Sequence, residues 1–159
     1  MAEAGPLPRE GRAALSIALE PAPFDAFSVL RGWSAGSAAA AEAHFIGRVR
    51  GWNAAGEALA ALELEHYPGM TEAQLERLTT AAAERHGVQA VLVRHRVGRV
   101  APGEAIVLVA VAADRRGPAQ HCCQELLEAL KHEAPFWKKE LEPGGEGRWV
   151  EGNTPLRTG

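Results

Sequence analysis

Several common chemistries lack the residues they need in this chain. Its 159 residues include two cysteines, Cys122 and Cys123, which are adjacent. Adjacent cysteines build neither a disulfide framework nor a cysteine-rich zinc site. Serine occurs only at Ser16, Ser28, Ser34 and Ser37, with no G-x-S-x-G elbow, so a serine hydrolase has little support. G-x-x-x-x-G-K-[ST] and G-x-G-x-x-G are also missing, which leaves P-loop and Rossmann nucleotide sites unsupported. The six histidines, His44, His66, His86, His95, His121 and His132, include no H-E-x-x-H pair, and the expectation is no metal. Aromatics make up 6% of the chain and the formal net charge is −3, which argues against nucleic-acid binding by global attraction. No apolar run approaches membrane-spanning length, and the first twelve residues have no apolar signal core. The expectation is a cytoplasmic protein that binds neither membrane nor nucleic acid.

What is present suits one folded domain. The mass is 16.9 kDa, 47% of residues are hydrophobic and 23% are charged, enough for a real core. Residues 1–12 and 152–159 read as flexible ends around a domain over 13–151. Leu15, Ile17 and Leu19 alternate with small residues and predict a first strand. Pro21 and Pro23 break it, a short helix is expected over 24–30 with Pro23 near its first turn, and 32–37 reads as loop. A strand is expected around 43–49, then turn residues over 53–57. Leu62, Leu64 and His66 face away from Glu63 and Glu65, the pattern of a half-buried strand ended by Pro68-Gly69.

Thr71 and Gln74 have capping-box spacing and predict a helix over 71–86, with Gly87 as its left-handed stop. Residues 88–97 alternate as a strand. Pro102-Gly103 signals a turn, and the run from Ile106 to Ala113 is apolar on both faces, as in a central strand covered on both sides. Ala119, Cys122, Cys123, Leu126, Leu127 and Leu130 repeat at helical spacing and predict a helix over 118–132, in which the cysteines are small core residues. Short strands are expected over 136–141 and 148–151. Turn-linked strands alternating with helices imply an α+β fold: a single domain, a mostly antiparallel sheet with helices packed on it.

Basic residues gather in three places: Arg48 and Arg50 at a strand end, Arg115 and Arg116 before a helix, and Lys131, Lys138 and Lys139 around that helix's end. Such residues usually form a solvated rim. Two details favour an anion-binding cleft. Arg115-Arg116 precedes a helix N-terminus, where free N–H groups and the macrodipole already attract anions. Lys131 lies about 110° from the centre of the apolar helix face at ~100° per residue, an edge position where partial shelter is expected.

At these residues the sequence resembles the large, catalytic subunit family of molybdopterin synthase. The resemblance rests on Phe45-Ile46-Gly47-Arg48-Val49-Arg50, on Leu64-Glu65-His66-Tyr67-Pro68-Gly69-Met70-Thr71 and on His95-Arg96-Val97-Gly98. Pro102-Gly103-Glu104 adds to it. Its most diagnostic part is Leu130-Lys131-His132-Glu133-Ala134-Pro135-Phe136-Trp137-Lys138-Lys139-Glu140 with Trp149-Val150-Glu151. These segments keep the family's order across residues 38–151. Two departures stand out: Arg115-Arg116 where the family often has His-Arg, and Gln120 where an aromatic residue is common.

The resemblance implies a sulfurtransferase that converts cyclic pyranopterin monophosphate into the molybdopterin dithiolene. Sulfur arrives as a thiocarboxylate on the C-terminal Gly-Gly tail of a small ubiquitin-like subunit. Two large subunits form a central dimer with one small subunit at each end, and no metal, nucleotide or other cofactor is consumed. Carried over by matching positions, Lys131 and Lys138 are the catalytic residues, with Lys131 in proton transfer and charge stabilisation at the reacting carbon. Nearby arginines and partial burial are expected to lower its pKa. Arg48, Val49 and Arg50 line the substrate side, and Arg115 and Arg116 bind phosphate, Arg116 the better through its forked guanidinium. Lys139 and Glu140 complete the substrate-binding set. Pro135, Phe136 and Trp137 are expected to pack and so fix the lysines, and His66 to be a structural histidine.

Two other classes compete. A lyase with Lys131 as Schiff-base nucleophile would be trapped by borohydride with a carbonyl substrate. A non-catalytic module could hold a phosphorylated ligand or protein tail without turnover, and a neighbouring gene for a small protein ending in Gly-Gly would favour the synthase over it.

Overall fold

The apolar run expected at the centre of a sheet forms a strand, Ala105–Ala113, buried along nearly its whole length. In the computed structural model, which describes residues 11–150, it is the sixth of eight strands. In chain order the elements are β1 (Ala14–Glu20), α1 (Ala26–Ala35), β2 (Ala41–Arg48), β3 (Ala61–His66), α2 (Met70–His86) and β4 (Ala90–Arg96). Then come β5 (Gly98–Val100), β6 (Ala105–Ala113), α3 (Arg116–Glu133), β7 (Phe136–Leu141) and β8 (Gly147–Trp149). Glu151, the last residue of the strand expected over 148–151, lies outside the described residues, as do residues 1–10 and 152–159 of the expected flexible ends.

The strands form two sheets rather than one. The first has the order β1-β4-β6-β2, with β1 parallel to β4 and the other neighbours antiparallel. The second, β5-β3-β7-β8, is antiparallel throughout. Strand alternation divides the side chains of the first sheet between two cores. Val91, Val93, Val107, Val109 and Val111 face α2 and α3, where Leu75, Leu78, Cys122, Leu126 and Leu130 are buried against them. Leu92, Leu108 and Ala110 face the other way, against Ala26, Trp33 and the rest of α1. Full burial of one such leucine contributes roughly 2 kcal/mol. A smaller cluster of Val49, Leu64 and Val100 joins the second sheet to the first.

Both cysteines are free and buried, as their spacing implied. Burial pushes Cys122 up to about 12 and Cys123 up to about 11, which removes them as nucleophiles at neutral pH.

Local chemistry moves several boundaries. Asp25, not a proline, starts α1: its Oδ1 accepts the N–H groups of Phe27 and Ser28 at 3.0 and 3.1 Å. The helix then continues through residues 32–35, read as loop, because a glycine on its exposed side costs about 1 kcal/mol and the buried face outweighs that. Gly69, not Thr71, caps α2, and it is the Glu72 carboxylate, not Gln74, that returns to the Gly69 N–H. Thr71 is buried inside the first turn and its Oγ1 accepts from Tyr67 N at 3.2 Å. Gly87 ends α2 with φ 61°, as expected. The Pro102-Gly103 turn does not close a hairpin. It returns the chain from β5 in one sheet to β6 in the other, where the antiparallel neighbours of β6 are β4 and β2.

Candidate active site

The end of β2 is built by a glycine and a bulge. Gly47 stands opposite Val107 and Arg48 opposite Ala105, so Ile106 is skipped and the register shifts. A Cβ on Gly47 would lie 3.0 Å from Val107 Cγ1 and 3.2 Å from Phe45 Cε1, so glycine permits this close approach. Beyond the bulge, Val49 is buried and its backbone is held twice: its N–H donates to Glu104 O at 3.1 Å and its carbonyl accepts from Gly103 N at 2.8 Å. Arg48 and Arg50 flank this anchored residue and are both exposed.

The last turn of α3 carries Lys131 to the same region, with Nζ 5.9 Å from the centroid of the Phe45 ring. After Pro135 the chain enters β7, whose alternation puts Phe136, Lys138 and Glu140 on one face and Trp137 and Lys139 on the other. Across the ladder to β3, His66 pairs with Phe136, Leu64 with Lys138 and Leu62 with Glu140. Burial, and next the charge of Lys131, lower the Lys138 pKa. This corrects the expected shelter of Lys131, which is exposed.

His95, near the end of β4, packs against Phe136 of the lysine-bearing strand and feels the charge of Lys138. Its ring stacks on Phe136 at 3.9 Å between centroids with 9° between planes, and its Nδ1 lies 2.8 Å from Arg96 O. Burial pushes its pKa down to about 4, with the Lys138 charge acting in the same direction. The ring is therefore neutral at physiological pH, with Nδ1–H donating to the carbonyl. Phe136 thus packs, as expected. Trp137 is instead exposed and meets Tyr67 edge to face at 4.9 Å.

The remaining candidates separate. Lys139 Nζ sits 5.4 Å over the Trp149 ring, on the β7 face opposite Lys138. Glu140 is half-buried on the Lys138 side. Arg115 and Arg116 are exposed at the start of α3, with Arg116 its first residue. Lys131 follows Arg116 by 15 residues, an axial rise of ~22 Å, so one chain does not bring these arginines to the lysines. Among the described residues, no group of three or more His, Cys, Asp or Glu side chains is placed to hold a metal ion, and no helix is long and apolar enough to cross a membrane.

Sequence reasoning quoted His95 and Arg96 within a family string but gave neither a role. The signal was there: three charged or titratable residues, Arg94, His95 and Arg96, continue a strand that begins Ala-Val-Leu-Val. Of the three, His95 and Arg96 are buried.

Comparison with known proteins decides the family. Residues 19–133 match the family model described as MoaE protein. The chain belongs to the MoaE protein family. The matched span ends two residues beyond Lys131, so Lys138, Lys139 and Glu140 follow it in the chain. Among MoaE relatives, the molybdopterin synthase catalytic subunit of Haemophilus influenzae is 42% identical over 137 residues, covering 86% of this chain and 90% of the relative. That of Caulobacter vibrioides is 43% identical over 143 residues, covering 89% and 93%. A solved molybdopterin biosynthesis MoaE protein from Burkholderia ambifaria has the same fold, with TM-score 0.71, 39% identity and coverage of 89% of this chain and 91% of that one.

Proposed function

We propose that this chain is the catalytic subunit of a cytoplasmic molybdopterin synthase, and that its reacting centre lies where Lys131, Lys138, Arg48 and Arg50 converge. The observation that carries this reading is the half-buried Lys138, whose pKa is lowered by burial and by the charge of Lys131, while Lys131 lies over Phe45 of β2, the strand that ends at Arg48. The family relationship supplies the reaction class. The thiocarboxylate sulfur of a small ubiquitin-like carrier attacks a side-chain carbon of the cyclic pyranopterin monophosphate, and the new C–S bond forms as a C–O bond at that carbon breaks, its oxygen leaving as hydroxide or as the opened phosphate ester. Water then hydrolyses the acyl-linked intermediate, leaving sulfur on the pterin and a carboxylate on the carrier. Two such transfers make the dithiolene.

Each step develops negative charge on oxygen or sulfur, which positioned cations stabilise. Lys138 takes the proton-transfer role, because burial and the charge of Lys131 lower its pKa and so ease release of its proton. Lys131 stabilises charge at the reacting carbon, and Arg48 and Arg50 hold the anionic substrate. Glu140 lies on the lysine face, whereas the Lys139–Trp149 contact favours a supporting surface role for Lys139.

Arg115 and Arg116 suit phosphate at the start of α3, yet ~22 Å separates that end of the helix from Lys131. Both roles are met if a second copy of the chain brings its own α3 start to this site. A homodimer, joined by one small subunit at each end, satisfies that geometry. The test is reconstitution: mixing this chain with thiocarboxylated carrier and cyclic pyranopterin monophosphate should yield dithiolene product. Stable binding of both without product would favour a binding module instead.

A further inference from the structure

Among the described residues Arg96 is the largest side chain in the deep interior, 2% exposed, and each of its guanidinium nitrogens donates a hydrogen bond. Nε donates to Glu20 O at 3.1 Å, Nη2 to Arg99 O at 2.9 Å, and Nη1 to Glu104 Oε2 at 2.7 Å. One cation therefore ties together the end of β1, the strand β5 and the turn that precedes β6. That turn is the segment whose backbone grips Val49 from both sides, through Glu104 O and Gly103 N. Val49 lies between the two exposed arginines at the end of β2, just past the bulge at Gly47 and Arg48. A short chain of contacts thus runs from a buried charge to the substrate-facing strand end: Arg96 to Glu104, Glu104 to Val49, and Val49 to its neighbours on either side.

We propose that the Arg96–Glu104 ion pair is a positioning device that sets Arg48 and Arg50 for the anionic substrate, with Glu104 acting through the Val49 backbone. This rests on the substrate reading given above. The reason for an ionic brace is local. The last residues of β2 leave the regular ladder at the bulge, so their placement depends on the turn rather than on continued pairing. The turn contains Pro102 and Gly103 and is exposed at both. A charge-assisted bond from a rigid, planar guanidinium fixes it more sharply than a neutral contact.

The experiment uses Glu104→Ala, because the Glu104 side chain is partly exposed, whereas truncating Arg96 risks the fold. Two readouts are taken on the full chain: amide hydrogen exchange at Val49 and the dissociation constant for cyclic pyranopterin monophosphate. Exchange at Val49 should accelerate at least tenfold while exchange in the centre of β6 is unchanged. Affinity should fall about tenfold, and that loss should largely vanish when Glu104→Ala is made in an Arg50→Ala, Arg48→Ala background, because the brace then has nothing left to position. Equal losses in both backgrounds, or unchanged exchange at Val49, would overturn the proposal. If the unaltered chain does not bind the pterin, the substrate reading fails; accelerated exchange confined to Val49 and Gly103 would still uphold the brace itself, and unchanged exchange would still overturn it.

Discussion

His95 and Lys138 are a histidine and a lysine placed where their charged forms are disfavoured, and each makes a pH-dependent statement. The His95 pKa falls from 6.5 to about 4 on folding, so between these values the unfolded chain binds more protons than the folded one. Stability therefore rises with pH through that window and is lost as pH falls through it, by about 3 kcal/mol for full loss. His95→Gln should flatten the acid limb of a stability–pH curve measured by urea unfolding between pH 4 and 7. Lys138 has the same sign at higher pH: its folded pKa lies below the usual 10.5, so its burial costs stability at neutral pH and the cost is relieved as pH rises toward that value. For activity, burial separates the two lysines: Lys138 is half-buried and Lys131 exposed. Lys131→Ala and Lys138→Ala should each slow product formation by ~10²-fold or more with little change in melting temperature. Lys138→Arg should be as damaging as Lys138→Ala, because arginine cannot release its proton, while Lys131→Arg should keep part of the rate. Equal retention by both arginine variants in a single-turnover assay would remove Lys138 from proton transfer.

At the scale of elements, caps and registers decide where the sequence pattern stops being readable. Asp25 shows the point: its carboxylate satisfies two N–H groups of α1, so Asp25→Ala should lower stability by about 1 kcal/mol, read as a lower melting temperature. Activity per folded molecule should not change, since α1 covers the sheet face opposite α2 and α3. Strongly periodic elements were legible from residues alone. The α3 repeat, the doubly apolar β6 and the Gly87 stop all follow from periods of 3.6 and 2 and from glycine's access to positive φ. The α1 start was missed because Pro23 offered a plausible first turn while the stronger capping group stood two residues on. β5 was missed because three residues carry too little alternation to register. The site divided the same way. The lysines and arginines were legible as basic clusters, sharpened by family strings. Burial was not: Lys131 sits at the edge of a helix face and emerges exposed, whereas Lys138 is sheltered by a second sheet that local sequence does not announce.

At the scale of the whole molecule, the decisive quantity is the length of α3. The helix starts at Arg116, beside the end of β6, and returns along the sheet to deliver Lys131 near Phe45, close to the end of β2. Cations expected to act on one substrate thus stand at opposite ends of one rigid rod, ~22 Å apart. No rotamer of arginine or lysine spans that distance, so either the arginines are irrelevant to catalysis or a second copy supplies them. Complementation distinguishes the two. Arg116→Ala and Lys131→Ala chains, each nearly inactive, should regain activity when unfolded together and refolded as a mixture. In a random mixture half the dimers are mixed, and each mixed dimer has one site with both residues intact and one with neither. That gives about one quarter of wild-type activity, measured as dithiolene product per chain. If Arg116→Ala alone retains full activity and affinity, the arginines do not serve the site. If both variants are inactive and the refolded mixture stays inactive while light scattering shows dimers, the two residues act within one chain, and the straight-helix distance between them must be closed by a rearrangement of α3.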